Sequence, residues 1–278
     1  MSREGALEGR WWGEFEFAPG DVKLWRLGTY ALWAERTGTE FRLASRRDEE
    51  SSESLAVALP VPSVPDDVTR TRYGVREAAH SLRLSPATAD RAVVVKSRDP
   101  FIVPPGGAVT VFVSSPVWVQ VALTDPHRPL QEEPVRRPSD TWFGPDTMTG
   151  DLGYAVRTSV RYDLAHVPAE PHRVVSVARI RNQAGTPLPL ARMRLPLPYL
   201  SLFADREGRL WTEAVSLDRN DDDDLAEIKL GRSAPREAGP CERVAEPRES
   251  MTASPIFRSF AGLLGLRTSR EAYERVVE

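Results

Sequence analysis

Residues 109–123 read VTVFVSSPVWVQVAL, with valine or leucine at every second position on either side of a Ser-Ser-Pro break. Successive side chains of a β-strand point to opposite faces, so this spacing gives each half of the stretch one apolar face. The stretch therefore predicts two consecutive strands, each with one side against a core.

The same period of two recurs along most of the chain. It is present at residues 11–17, 156–162, 210–215 and 226–230, and turn signals such as the Pro-Pro-Gly-Gly at residues 104–107 lie between the runs. Short alternating strands with Gly and Pro turns are typical of antiparallel sheets, whereas a parallel α/β fold needs helices between its strands. We therefore predict an all-β fold with two antiparallel, Ig-like β-sandwich units.

Proline-rich breaks predict where these units begin and end. Residues 125–153 carry five prolines and read as a long loop, and a second break falls at residues 168–171. Loops of this length are usually functional or act as linkers. We place an N-terminal sandwich at residues 10–165 and a smaller second one at residues 166–231, although periodicity leaves open whether the two share one continuous sheet.

The composition and the period change after residue 231. Residues 232–255 are rich in proline and charge and poor in large apolar groups, which is typical of a linker. In residues 256–278 the apolar positions follow helical spacing, so we predict a short amphipathic helix pair. This tail could dock on a partner, on the body of the protein, on a second copy or on a membrane surface. Its predicted docking face consists of Ile256, Phe257, Phe260, Leu263 and Leu264.

Composition limits the classes of function. The 278 residues carry a net charge of −3, which gives no electrostatic reason to expect a nucleic-acid partner. Cys241 is the single cysteine, so the chain has no internal disulfide and no multi-cysteine zinc site. We see no apolar signal segment and no run of ~20 apolar residues that would span a bilayer. We therefore expect a cytoplasmic protein without a transmembrane segment.

Motifs for catalysis or cofactor binding are missing from the sequence. The acidic run at residues 218–224 lacks the glycine and glutamate positions of a calcium loop and reads as a solvated turn. No nucleophile elbow, phosphate loop or dinucleotide motif occurs. No known metal-ligand spacing joins the four histidines, which are His80, His127, His166 and His172. We therefore expect no cofactor, no metal and no catalytic residue, and the balance favours a role other than catalysis.

The most unusual segment is SDTWFGPDTMTGDLGY at residues 139–154, which places two aromatic rings beside Gly-Pro among three aspartates. Aromatic rings rimmed by carboxylates can stack on a sugar or anchor a protein partner, and a pair of carboxylates can hydrolyse a glycoside. Alternatively, the segment is a crossover whose rings fill a core and whose aspartates cap turns. The candidate binding residues are Asp140, Trp142, Phe143, Asp146 and Tyr154.

Four runs carry a family resemblance: FIVPPGGAVTVFVSSPVWV at residues 101–119, RPSDTWFGPDT at 137–147, IRN at 180–182 and PYLSLFAD at 198–205. Over residues 11–233 the chain resembles an uncharacterised prokaryotic family catalogued as domain of unknown function 432. The resemblance is most specific in the run around Trp142. It implies no assigned activity and hence no catalytic residue. It also implies a loose association with mechanosensitive channels of the small-conductance type.

Together these features favour a non-catalytic β-sandwich protein that binds another macromolecule, a protein of unknown identity, through the Trp142 segment and the tail. Two alternatives stay open. One is a module that binds or hydrolyses carbohydrate, and the other is an accessory protein of a mechanosensitive-type membrane channel. Assembly into a homo-oligomer is also left open by the sequence.

Overall fold

In a computed structural model the chain is all-β, which confirms the predicted fold class. The structure describes residues 10–48, 55–75, 79–144, 150–156, 160–221, 225–250, 256–258 and 260–261. Across these ranges the helical segments are single 3-10 turns, at Leu164–His166, Leu197–Tyr199 and Arg236–Ala238. No helix in the described part of the chain is long and apolar enough to span a membrane.

The strands follow one another in short succession, as the alternating sequence predicts. They are β1 (Gly13–Glu16), β2 (Val22–Leu27), β3 (Tyr30–Arg36), β4 (Glu40–Arg47), β5 (Leu55–Pro60), β6 (Arg70–Gly74), β7 (Ser81–Ala87), β8 (Val93–Val103), β9 (Ala108–Pro116), β10 (Trp118–Leu123), β11 (Arg128–Pro134), β12 (Ser139–Phe143), β13 (Asp151–Val156), β14 (Arg173–Asn182), β15 (Leu188–Leu195), β16 (Leu202–Asp205), β17 (Leu210–Trp211), β18 (Val215–Arg219), β19 (Leu225–Leu230), β20 (Cys241–Ala245), β21 (Ile256–Arg258) and β22 (Phe260–Ala261).

These strands form four sheets. Sheet A has the order β1-β7-β10-β11, and sheet B the order β5-β2-β3-β4-β6. Sheet C has the order β12-β13-β8-β15-β22. Sheet D runs β20-β16-β17-β14-β18-β19-β21, with β9 also paired to β14. Most neighbours are antiparallel, but β13 is parallel to β8, and β14 is parallel to β17 and β18.

The stretch at residues 109–123 forms most of β9 and all of β10, and its central break separates two sheets. β9 pairs along nine positions with β14 in sheet D, whereas β10 lies between β7 and β11 in sheet A. The amide of Val117, at the break, donates to the carbonyl of His172. The break therefore sends two consecutive strands into different halves of the molecule.

Two large buried clusters lie between pairs of sheets. One joins sheet A to sheet B, with Leu82 and Val119 packed in the same cluster as Trp25 and Leu32. The other joins sheet C to sheet D and contains Val93, Val95, Met193, Val111, Val113 and Ile180. Burial of such side chains contributes about 1.5–3 kcal/mol each relative to exposure, so these two interfaces dominate the hydrophobic stabilisation of the fold.

Strands from both sides of the predicted boundary at residues 165 and 166 share sheets. β9 pairs with β14, and β8 pairs with β15. Val174 and Leu210 also belong to the cluster between sheets A and B. The sheets are therefore continuous across that boundary, which is the alternative that periodicity left open.

The predicted loop at residues 125–153 contains β11, β12 and the start of β13, so its description as a loop is wrong. The prolines Pro129 and Pro134 fit into β11 because β11 is the edge strand of sheet A. An edge strand has one side without a partner, and a residue lacking an N–H is tolerated there.

The predicted linker at residues 232–255 is also packed in its described part. β20 pairs with β16, and the amides of Arg248 and Glu249 donate to the carbonyl of Pro198 at 2.8 and 3.0 Å. The Arg248 Nε donates to the carbonyl of Thr88 at 2.8 Å. A segment with few apolar side chains is held here by backbone and guanidinium hydrogen bonds, which composition alone does not predict.

The first part of the predicted C-terminal helix pair is wrong, because Ile256–Arg258 and Phe260–Ala261 form β21 and β22. β21 pairs with β19 at the end of sheet D, and β22 pairs with β15 at the end of sheet C. Exposed sheet edges offer unpaired backbone groups, and this outweighs a weak helical preference in a short segment. Leu263 and Leu264 lie outside the described residues.

Candidate functional site

The Trp142 segment is an antiparallel hairpin, and its strand β12 is the last described strand at one end of sheet C. In its register Asp140 faces Tyr154, and Trp142 faces Leu152. Neighbouring residues of a strand point to opposite faces, so Trp142 and Phe143 lie on opposite sides of the hairpin. The two rings therefore do not form one platform.

Phe143 holds the hairpin against the body of the protein. Its side chain is 1% exposed, and the guanidinium of Arg192 lies 5.4 Å from the centre of its ring. The Arg192 Nη2 also donates to the carbonyl of Trp142 at 2.6 Å. One arginine thus binds the hairpin through a cation–π contact and a hydrogen bond, and Phe143 is a packing residue.

Trp142 and its cross-strand partner Leu152 are turned outward. Trp142 is 37% exposed and Leu152 is 42% exposed. Directly opposed side chains on one face of an antiparallel pair are close enough to contact each other. The hairpin therefore presents an aromatic ring beside an aliphatic side chain at the edge of the sheet.

The carboxylates of the segment are paired with arginines. Asp140 lies 3.3 Å from the Arg91 Nη1, and Asp151 lies 3.1 Å from the Arg194 Nη1. Asp146 lies outside the described residues. The two described carboxylates thus support the hairpin electrostatically, in exposed pairs that contribute little to stability.

Tyr154 belongs to β13, two positions beyond Leu152, and only 9% of its surface is exposed. Its ring is stacked on Trp118, with centroids 5.7 Å apart and an interplanar angle of 28°. Burial raises the pKa of Tyr154 above its ordinary value, and its hydrogen bond with Asp90 raises it further. Tyr154 is therefore a neutral wall residue that joins the hairpin to the start of β10.

A cleft of about 440 Å³ opens beside this stacked pair, and the sequence did not predict it. It lies where the start of β10, the end of β9, β13 and the start of β14 meet. Arg136, Arg137 and Arg173 line it together with Ser115, Trp118 and Tyr154. The sequence feature that could have indicated this cleft is the pair Arg136-Arg137, which precedes the Trp142 segment.

The family match includes the residues of both the hairpin and the cleft. A model for a family described as protein of unknown function (DUF432) matches residues 11–264. The chain belongs to the DUF432 family. This confirms the resemblance in the four sequence runs and extends it beyond residue 233. No curated protein and no solved structure matches the chain.

The DUF432 match contains every strand from β1 to β22. The strands at residues 256–261 are thus part of the DUF432 domain, in agreement with their pairing to sheets C and D. In the described part of this DUF432 protein, no group of three or more His, Cys, Asp or Glu residues is arranged to hold a metal ion.

Proposed function

We propose that this DUF432 protein is a non-catalytic binding protein that recognises another protein through the β12–β13 hairpin. The observation that carries the proposal is the outward-facing pair of Trp142 and Leu152. Protein interfaces derive most of their binding energy from a few side chains, and tryptophan is enriched among them.

The position of the hairpin supports a protein as the partner. β12 is the terminal strand of sheet C, so among the described strands one side of its backbone has no neighbour. Such an edge can add a strand from a partner, which supplies main-chain hydrogen bonds, while Trp142 supplies a side-chain anchor. Arg192 and Phe143 hold the strand in place before binding, which reduces the entropy lost on association.

The scaffold of the proposed binding protein is a pair of β-sandwiches, with sheet A on sheet B and sheet C on sheet D. The two buried clusters support this arrangement, because each contains residues from both sheets of its pair. The β12 strand of the hairpin then lies at the edge of the second sandwich.

The proposal is tested by affinity purification with the full-length chain as bait. Trp142→Ala removes the proposed anchor, and we expect it to abolish recovery of the partner. Tyr162→Ala is the matched control, because that ring is 54% exposed elsewhere on the surface. Both variants should stay folded, which circular dichroism checks.

A chain that ends after residue 261 tests the contribution of the tail. It retains β22, so loss of partner recovery would assign part of the contact to residues 262–278. Recovery of the same partners with Trp142→Ala and with the wild type would contradict the proposal. Quenching of the tryptophan fluorescence by oligosaccharides in the wild type but not in Trp142→Ala, with no protein recovered, would favour the carbohydrate alternative instead.

A further inference from the structure

Three arginines from separate parts of the chain meet at the cleft beside Tyr154. Arg136 and Arg137 come from the segment between β11 and β12, and Arg173 begins β14. No aspartate or glutamate lines the cleft within the described residues. The concentration of one sign of charge in a concave site is the usual arrangement for attracting an ion of the opposite sign.

Arg173 is fixed in the wall of the cleft. Its side chain is 15% exposed, its Nε donates to the Ser114 hydroxyl at 2.8 Å, and its Nη2 donates to the Ser114 carbonyl at 2.6 Å. The Glu170 carboxylate lies 3.6 Å from the Arg173 Nε. Burial lowers the pKa of Arg173, the charge of Glu170 raises it, and the charge of Arg136 lowers it, so Arg136 lies close enough to repel the Arg173 guanidinium.

Arg136 and Arg137 are exposed, and neither has an ion pair within the described residues. Three guanidinium groups and the carboxylate of Glu170 leave a net charge of about two positive units at the cleft. One carboxylate offsets only one of the three positive charges, so the remaining repulsion raises the energy of the unbound protein. An anion in the cleft would relieve this repulsion, most effectively if it carries two charges.

The rest of the wall suits an organic group. Trp118 and Tyr154 form a stacked aromatic pair there. The Ser115 hydroxyl, at the same wall, is buried and has no hydrogen-bond partner among the described residues. A buried hydroxyl without a partner costs free energy, and a hydrogen bond to a bound group would remove that cost.

We propose that this cleft binds a small organic phosphate, with the phosphate on the arginines and the organic group against the Trp118–Tyr154 pair. A phosphate monoester carries a charge of about −1.5 to −2 at pH 7, which matches the net charge of the cleft better than a single carboxylate does. Guanidinium groups bind phosphate oxygens in a bidentate geometry. The cleft volume of about 440 Å³ lies in the range of small-molecule sites, at roughly 300–1,000 Å³.

Calorimetric titration of the full chain with phenyl phosphate, inorganic phosphate and phenol tests the proposal. We expect phenyl phosphate to bind more tightly than inorganic phosphate and phenol not to bind. The double variant Arg136→Gln/Arg137→Gln should weaken phenyl phosphate binding by about tenfold or more, because a charge-assisted hydrogen bond contributes that much. Arg206→Gln/Arg232→Gln makes the same change of charge at two other exposed positions and should leave binding unchanged.

Two results would overturn the proposal. The first is no saturable binding of either phosphate at millimolar concentration, and the second is equal weakening by the two double variants. Equal affinity for phenyl phosphate and inorganic phosphate would contradict the proposed contact between the organic group and the Trp118–Tyr154 pair. Trp142→Ala, which tests partner binding by the hairpin, should leave phenyl phosphate binding intact. The partner-binding proposal and the phosphate-binding proposal can therefore fail independently of each other.

Discussion

A cluster of polar side chains around Tyr30 joins sheet B to the edge strand of sheet A. Tyr30 is 1% exposed, and the guanidinium of Arg47 lies 5.0 Å from the centre of its ring. The Glu133 carboxylate accepts from Ser45 at 2.6 Å and from the Arg47 Nη2 at 3.0 Å. Polar groups leave water at a cost unless they are hydrogen-bonded, so each member of the cluster depends on the others.

Tyr30→Phe should change how stability depends on pH. Burial and the neighbouring Glu133 charge raise the pKa of Tyr30 far above its ordinary value. An acid with a raised pKa in the folded state stabilises the fold below its unfolded pKa, about 10 for tyrosine, and that stabilisation is lost as the pH rises past it. We therefore expect the free energy of unfolding to fall less in Tyr30→Phe than in the wild type between about pH 8 and about pH 10.5.

Urea unfolding of both proteins at the two pH values measures this difference. At neutral pH the variant should also lose about 1–2 kcal/mol, since the Tyr30 side chain is hydrogen-bonded to Glu133 and phenylalanine cannot replace that donor. Tyr162→Phe is the control, because its ring is 54% exposed. An identical pH dependence in Tyr30→Phe and the wild type would show that Tyr30 does not carry the effect.

Among the elements, the hairpin depends on a close approach between β13 and β8. A Cβ atom at Gly153 would lie 2.8 Å from the carbonyl oxygen of Ala92 and 3.3 Å from the Val94 Cγ2. The amide of Tyr154 donates to that same carbonyl at 2.9 Å. The glycine therefore lets two parallel strands meet at the point where the hairpin joins sheet C.

Gly153→Ala should destabilise the protein by about 1–3 kcal/mol, because the added methyl group meets rigid backbone. It should also weaken partner recovery, since the strand that faces β12 is displaced. Gly74→Ala, at the edge of sheet B, adds the same methyl group where no atom lies within 4 Å. A comparison of the two variants by urea unfolding checks the prediction, and equal stabilities would contradict it.

Substitution of Arg248 tests whether the packed segment after β19 stabilises the protein. Its guanidinium donates to the Thr88 carbonyl and also pairs with Glu132. Arg248→Ala should cost about 1.5–3 kcal/mol, the usual contribution of hydrogen bonds to a charged group. Arg232→Ala, an exposed arginine in the same predicted linker, should cost little. Similar unfolding midpoints for the two variants would mean that this segment contributes no stability.

At the scale of the whole molecule, the shared sheets make the two halves interdependent. β9 has its longest pairing with β14, and β8 has its longest pairing with β15. A fragment of residues 10–165 contains β8 and β9 but neither β14 nor β15, and β8 keeps only three paired positions, with β13. The fragment would expose two long apolar strands with unpaired backbone, which is unfavourable and promotes aggregation.

We therefore expect the fragment of residues 10–165 not to fold alone. Circular dichroism and urea unfolding of the purified fragment check this, with the full chain as the reference. A cooperative unfolding transition in the fragment would contradict the prediction and support a domain boundary at residue 165.

The sequence by itself determined the all-β class, because alternation with a period of two is a local property of each strand. The family was recognised separately, from the resemblance in four sequence runs. The sequence also located the Trp142 segment, but the Gly and Pro residues there favoured a loop. Read as strand, the same alternation would have placed Trp142 and Phe143 on opposite faces. The sequence could therefore have predicted that one ring is buried and the other is exposed.

The tertiary structure alone decided which strands share a sheet, that residues 256–261 pair as strands, and that Arg136 and Arg137 meet Arg173 in one cleft. These features depend on contacts between residues far apart in the chain. A sequence pattern records which face of a strand is apolar, but it does not record which other strand or edge covers that face. That choice is made by packing and by the need to pair backbone groups at the sheet edges.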